Sequence, residues 1–265
     1  MSVPVPALPL RAPGGAVEIP VLGLGTWQAR GAEAYDAVRT ALDLGFRHVD
    51  TATMYANERD VGRALADSGV DRDELFVTTK LPPDRAGQEA ATLEASLRAL
   101  GLEHVDLWLV HWPPQGRARP ETWERFVEAQ QAGRTRAIGV SNYSAGQIDE
   151  LAAATGVTPA IDQIPWSPRD YDPAVVDALR SRSVVLEGYS PFKRTPMSDA
   201  TLVAVAHAHG VTPQQVVLRW HVQHGFVVIP KSVTPARIAQ NADVFGFALT
   251  DAEMAALDGL GQTRR

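Results

Sequence analysis

Short β-rich runs alternate along the chain with longer stretches whose apolar positions recur every three to four residues. The runs are VLGLG (21–25), RHVDT (47–51), LFVTTK (75–80), VDLWLVH (105–111), TRAIGVS (135–141), PAIDQ (159–163), VVLEGY (184–189) and FVVIPK (226–231). The clearest helical pattern between them is AEAYDAVRTALDLG (32–45), where Ala34, Val38, Ala41 and Leu42 share one face and Gly45 closes the helix. Three helix starts carry a capping box: Ser144 with Gln147, Thr212 with Gln215 and Thr250 with Glu253. In each, a hydroxyl and the residue three positions on satisfy amide groups that a helix start leaves free. Pro213 occupies a first helical position, where no amide is needed. AVEIP (16–20) and the segment before it, joined through Gly14 and Gly15, predict an N-terminal hairpin.

Eight strands alternating with helices in 265 residues predict an α/β fold, a (β/α)8 TIM barrel, as one domain over residues 1–265. No Pro/Gly/Ser-rich linker and no low-complexity segment divides the chain. The main competitor is a doubly wound nucleotide fold, which needs G-x-G-x-x-G after its first strand. The chain has GLGTWQARG there, with no third glycine in place.

Composition acts mainly by exclusion. A net charge of −6 and a pI near 5.6 argue against nucleic acid or an anionic membrane as partner, while leaving room for a local basic site. With no cysteine, disulfides, thiolate catalysis and cysteine-bound metals are excluded. No apolar run approaches a membrane span. The start, MSVPVPALPL, has three prolines and no basic region, so it is a poor signal peptide and the cytoplasm is the simplest location. His207/His209 and His221/His224 are the only histidine pairs. Without an H-E-x-x-H pattern or a third ligand they are expected on helix surfaces, and no metal site is expected.

In such barrels chemistry sits at the carboxyl ends of the strands. Those ends read Thr26-Trp27, Asp50 with Tyr55 after it, Lys80, His111-Trp112, Ser141-Asn142, Gln163, Tyr189-Ser190 and Lys231-Ser232. Singly, each has a bland explanation: Asp50 as a helix cap, Lys80 as a strand-end charge, His111 as a satisfied core histidine. Together, four ionisable groups on or just after strands 2 to 4 converge on one mouth. Their chemistry is coherent. Tyrosine, with a reference pKa near ~10, is a weak acid at neutral pH. A nearby ammonium favours its phenolate, and an aspartate keeps that ammonium charged. A neutral histidine donates a hydrogen bond to a carbonyl oxygen as charge develops there. The tyrosine then delivers a proton. No side chain supplies a hydride, but a nicotinamide cofactor does. Two other readings stay open: a Schiff-base lyase using Lys80, and a non-catalytic sensor of NADPH.

The stretches LGLGTWQ, GFRHVDTATMYANERDVGRAL, LFVTTKL, VDLWLVHWP, IGVSNYS, YSPF and IPKSVTPARIAQN resemble the aldo-keto reductases over nearly the whole chain. The likeness is to the short bacterial type exemplified by 2,5-diketo-D-gluconate reductase. It implies a barrel whose bottom is closed by the hairpin, and NADPH-dependent reduction of a small-molecule carbonyl substrate by a monomer. Keto-sugars and dicarbonyls are among the candidate substrates. The resemblance implies a catalytic tetrad of Asp50, Tyr55, Lys80 and His111. Tyr55 is the implied general acid, Lys80 (held by Asp50) lowers its pKa, and His111 orients the carbonyl. Ser141, Asn142 and Gln163 match residues that bind the nicotinamide carboxamide, and Tyr189 the aromatic that stacks on its ring. Thr26, Ser190 and Phe192 match positions along the cofactor. Lys231, Ser232, Thr234 and Arg237 match the site of the 2′-phosphate, with Gln240 and Asn241 near adenine. Trp27, Met54 and Trp112 match substrate-pocket walls.

The chain departs from the pattern at three places. Asp162 precedes Gln163 where the family often has asparagine, and Pro165, Trp166, Ser167 and Pro168 replace an acidic–aromatic–His–Pro run. Lys193 and Arg194 fall near the expected pyrophosphate, either clamping it or facing water. The stop at GLGQTRR, soon after the last predicted helix, implies an open substrate pocket.

Overall fold

In the computed structural model, which describes residues 5–13 and 15–262, every predicted run becomes a strand. The hairpin pairs β1 (Ala7–Leu10) with β2 (Val17–Pro20), antiparallel. Its Gly14, and residues 1–4 and 263–265 of the expected domain, lie outside the described residues. The eight strands that follow form one parallel sheet in sequence order. They are β3 (Gly23–Gly25), β4 (His48–Asp50), β5 (Phe76–Leu81), β6 (Val105–Val110), β7 (Thr135–Ser141), β8 (Ile161–Pro165), β9 (Val185–Tyr189) and β10 (Val227–Ile229). Parallel bridges from Leu22 to Val228 and from Gly25 to Lys231 join its two edges, so the sheet closes into a (β/α)8 barrel. β8 runs two residues past its predicted end because its ladder with β9 continues from Ile161–Val185 to Pro165–Tyr189.

The helices are α1 (Ala32–Asp43), α2 (Glu58–Asp67), α3 (Glu89–Leu100), α4 (Pro120–Gln131), α5 (Ala145–Thr155), α6 (Pro173–Ser181), α7 (Ala200–His209), α8 (Pro213–Gln223), α9 (Pro235–Ala242) and α10 (Asp251–Gln262). α1 buries Ala34, Val38, Ala41 and Leu42 as its period predicts, and Gly45 turns the chain at φ 94°. All three capping boxes form: at Thr250, the backbone N–H donates to Glu253 Oε2 at 2.7 Å while Glu253 N–H donates to Thr250 Oγ1 at 3.3 Å. No helix among the described residues is long and apolar enough to cross a membrane.

The core has two parts. One fills the annulus between strands and helices and includes Trp108, Trp123 and Phe126. The other fills the barrel interior, where Leu10, Val17 and Ile19 of the hairpin meet Phe76, Leu107, Leu109 and Val227. The hairpin thus seals the bottom and leaves the carboxyl ends of the strands as the open mouth. Two glycines permit the closure. A Cβ on Gly23 would lie 2.6 Å from His48 Nδ1, and one on Gly25 would lie 2.9 Å from the Ile229 carbonyl oxygen. The G-x-G of the first strand is therefore a packing device of the barrel.

The histidine pairs correct one expectation. His221 is fully buried against Val217 O and Trp166 O, and burial holds it neutral with a pKa of about 4. His224 stacks on Tyr171 and Phe226 and bonds Asp258 at 2.8 Å. His221 is thus inside and His224 half-buried, because α8 faces the barrel on one side while Asp258 of α10 bonds both His224 and Trp220. His207 is exposed, and His209 pairs with Glu253 at 2.9 Å.

Candidate active site

β4 ends at Asp50, flanked in register by Gly25 of β3 and Thr78 of β5. Lys80 stands two residues further along β5 and is wholly buried. Its ammonium donates to Asp50 Oδ1 at 2.5 Å and to the Thr51 carbonyl at 2.9 Å. Two of three N–H groups are thereby used. Nζ sits 5.1 Å from the centre of the Tyr55 ring. Tyr55 is carried on a single tight turn, Thr53–Tyr55, which buried hydroxyls fasten to β5. Thr53 Oγ1 donates to Lys80 O at 2.9 Å, Ser96 bonds Thr53, and Glu58 accepts from Ser96 and Thr79. His111, directly after β6, meets Tyr55 edge to face at 5.7 Å. The structure thus brings Asp50, Tyr55, Lys80 and His111 into one cluster.

Burial decides much of the electrostatics. It works against the charge on Lys80, but Asp50, together with Tyr55 and Glu187, outweighs it and holds the lysine above its ordinary pKa. The ammonium is buried, ion-paired and hydrogen-bonded, so it offers no free amine for a Schiff base. Burial raises Tyr55, and the Lys80 charge lowers it. The net shift is upward, which corrects the expectation of a lowered phenol: the lysine moderates the desolvation of Tyr55 without overcoming it. A phenol so placed is a protonated donor at neutral pH. Burial, with Lys80 adding to it, depresses His111 to about 3, so its imidazole is neutral.

A cavity of about 480 Å³ opens over this cluster. Asp50, Tyr55 and His111 line it, and so do Ser141, Asn142, Gln163, Tyr189, Ser190 and Lys231. Lys80 lies behind them, and Thr26 is buried with its hydroxyl donating to Asp50 O at 2.9 Å. Trp27, Met54 and Trp112 also line the cavity and are 47%, 57% and 46% exposed, marking an apolar rim. Asn142 takes a left-handed backbone (φ 64°). Its amide nitrogen donates to His111 O at 3.2 Å and its oxygen accepts from Tyr189 OH at 2.9 Å, tying three strand ends together.

Phe192, Ser232, Thr234, Arg237, Gln240 and Asn241 stand outside the cavity lining. They lie on the loop after β9 (Phe192), around the start of α9 (Ser232, Thr234, Arg237) and in its last turn (Gln240, Asn241). Lys231 and Arg237 are exposed and have no ion-pair partner among the described residues. Thr234 provides no side-chain cap to α9. Asn241 is buried and Gln240 exposed. The two basic residues after β9 part company: Arg194 pairs with Asp170 at 2.9 Å, while Lys193 lines the cavity. Asp162 is fully buried, receives a long bond from Tyr143 N–H (3.5 Å) and a further backbone hydrogen bond from Asn142, and burial pushes its carboxyl well above the usual range.

Sequence reasoning missed Glu187, a fully buried carboxylate on β9. Gln163 Nε2 donates both to Asp50 Oδ2 at 2.8 Å and to Glu187 Oε2 at 3.0 Å. A signal was present. Glu187 interrupts the apolar run VVLEGY two residues before Tyr189, so both side chains point to one face of the strand.

A model of the Aldo/keto reductase family matches residues 21–262. The chain belongs to that family. It is 42% identical over 269 residues to morphine 6-dehydrogenase of Pseudomonas putida, covering 95% of this chain and 91% of that protein. It is 43% identical over 247 residues to 2,5-diketo-D-gluconic acid reductase B of a Corynebacterium species, with 91% and 89% covered. An aldo/keto reductase from Brucella melitensis superposes with a TM-score of 0.92 at 38% identity, covering 97% of this chain and 99% of that one. The Bombyx mori aldo-keto reductase in complex with NADP gives 0.90 at 35% identity, covering 100% and 95%. As an aldo/keto reductase, the protein is an NADP-dependent oxidoreductase, and the strand ends that carry Asp50, Lys80 and His111 lie inside the matched span.

Proposed function

We propose that the protein reduces small aldehydes and ketones to alcohols with NADPH, Tyr55 giving up the proton. The observation that carries this reading is the Asp50–Lys80–Tyr55–His111 cluster lining or backing a single cavity at the barrel mouth.

The residues present fit a nicotinamide dinucleotide phosphate. Gln163 lines the cavity, and its Oε1 carries no hydrogen bond. The Tyr189 ring offers a stacking face beside it. Lys231 and Arg237, unpaired at the uncapped start of α9, suit a phosphate dianion. Ser232 and Thr234 would add hydroxyls there, Gln240 and Asn241 would meet the adenine, and Thr26, Ser190, Phe192 and Lys193 would hold the part between. A bound reduced nicotinamide supplies the hydride. The chain's own part is then to hold the carbonyl carbon close to it, His111 and Tyr55 both donating to the carbonyl oxygen. As charge builds on that oxygen, Tyr55 passes its proton across, and the Lys80 ammonium, fixed by Asp50, stabilises the phenolate left behind.

Trp27, Met54 and Trp112 form the walls for the rest of the substrate, whose candidates include keto-sugars and dicarbonyls in line with the diketo-acid reductase relative. The acidic chain suits a cytoplasmic monomer acting without nucleic acid or membrane.

The test is Tyr55→Phe. Turnover of a panel of small carbonyls should fall by roughly 10²–10⁴-fold, the usual worth of a general acid. Quenching of tryptophan fluorescence by NADPH should persist. Unchanged turnover would remove Tyr55 from its role. Loss of turnover without any NADPH binding by the parent protein would point away from the cofactor.

A further inference from the structure

Inside the barrel, Gln163 is held between two carboxylates. Its Nε2 donates to Asp50 Oδ2 at 2.8 Å and to Glu187 Oε2 at 3.0 Å. An amide nitrogen has two hydrogens, so both are used. Gln163 and Glu187 are register partners across β8 and β9, which fixes their separation through the backbone ladder. Turning the amide over would aim its oxygen at two acceptor groups and leave the hydrogens without partners, a costly arrangement in a buried site. The opposite end, Oε1, therefore faces the cavity as an acceptor.

We propose that Glu187 is a positioning residue which, through Gln163, makes the site accept a hydrogen bond from the nicotinamide carboxamide NH2 and discriminate against pyridine nucleotides lacking that N–H. The inference rests on the nicotinamide reading given above. Glu187 lies behind Gln163, wholly shielded from solvent, and does not itself line the cavity. Its Oε1 stands 3.7 Å from His48 Nε2, whose hydrogen-bond partner is Thr78 Oγ1 at 3.2 Å. Oε2 is thus the atom committed to Gln163. Burial, with the Asp50 charge adding to it, pushes Glu187 up to about 8. In the neutral carboxyl that results at pH 7, a proton on Oε1, the oxygen toward His48, leaves Oε2 to accept from Gln163, and the Asp50 carboxylate beside Lys80 supplies the second acceptor that opposes turning of the amide.

The probe pair is NADP+ and its 3-acetylpyridine analogue, which keeps a carbonyl but replaces the NH2 with methyl. Affinities are read by tryptophan quenching, with no turnover involved. In the parent protein the analogue should bind about 10-fold more weakly, since it loses one hydrogen bond and sets its carbonyl against Gln163 Oε1. Glu187→Leu removes one of the two acceptors and leaves a buried N–H without a partner, so Asp50 alone holds the amide and its orientation is less strongly fixed. The ratio should then fall to about 3-fold or less. Glu187→Gln can still accept from Gln163 and should restore the parent ratio, an outcome that simple loss of packing does not produce. A parent ratio near one overturns the proposal without any variant, so a misfolded Glu187→Leu does not shelter it. An unchanged ratio in folded Glu187→Leu overturns it too. If the parent protein binds neither nucleotide, the nicotinamide reading itself falls, and Glu187 with it.

Discussion

The two ends of the proposed cofactor site are built on opposite principles. Around Asp50 and Lys80 the charges are buried and paired, and lysine, glutamine and threonine hydrogens are committed to partners before any ligand arrives. Around α9, Lys231 and Arg237 stand in solvent with no ion-pair partner among the described residues. The difference follows from who supplies the counter-charge. At the chemical end no ligand atom neutralises Lys80, so the chain must do it, and the low dielectric then strengthens each interaction. At the far end the ligand brings the phosphate charge, and a pre-paired arginine would have to break its own bond first. Preorganisation suits the reacting atoms, and open valence suits the anchor.

That contrast can be broken first by stability. Asp50→Asn leaves Lys80 as a buried cation without counter-charge and should cost about 3–5 kcal/mol in denaturant unfolding. Lys231→Ala, at an exposed unpaired position, should stay within about 0.5 kcal/mol. Similar losses at both places would erase the distinction. Binding sharpens it next. Arg237→Ala should weaken NADPH roughly 10-fold, as expected for one charge-assisted hydrogen bond at an exposed site, and leave NADH unchanged. A parallel loss for NADH would mean that Arg237 does not meet the 2′-phosphate.

The smallest effect concerns Asp162, buried beside the Asn142 loop. Burial raises its folded pKa well above the ordinary 3.8, so the folded state holds a proton that the unfolded chain releases. The stability this group contributes is full below the unfolded value and is lost as pH rises toward the folded one. Asp162→Asn keeps the acceptor for Tyr143 N–H but cannot ionise. Relative to the parent, it should be neutral at acid pH and increasingly stabilising as pH climbs. A flat difference across pH would show that Asp162 is ionised in the folded protein.

Much of this architecture was legible in the residues. Periodicity located all eight barrel strands, and the face of α1 and the three capping boxes are local features that need no distant partner. The strand-end positions of Asp50, Lys80 and His111 were equally visible, because a strand's end is where its alternation stops. Three matters were not. His221 and His224 read as surface residues because a polar residue on α8 does not show in sequence that His221 will turn inward onto Trp166 and β9, or that α10 will bring Asp258 to His224. The direction of the Tyr55 shift needed the balance of burial against one ammonium, a quantity set by the whole mouth. Glu187 looked like a solitary charge in an apolar strand, since its partners Gln163 and Asp50 are 24 and 137 positions away.

By itself, then, the chain determined the alternation of elements, the caps that start its helices and the set of polar groups that end its strands. These depend on interactions within a few residues, or on which side chains can stand at a strand end. Only the closed barrel decided which of those groups meet. Closing β10 onto β3 brings strand ends distant in sequence around one mouth, excludes water from Lys80, Asp50 and Glu187, and so sets their protonation and hydrogen bonding. Desolvation and mutual distance are properties of the assembled volume, and no local stretch of sequence contains them.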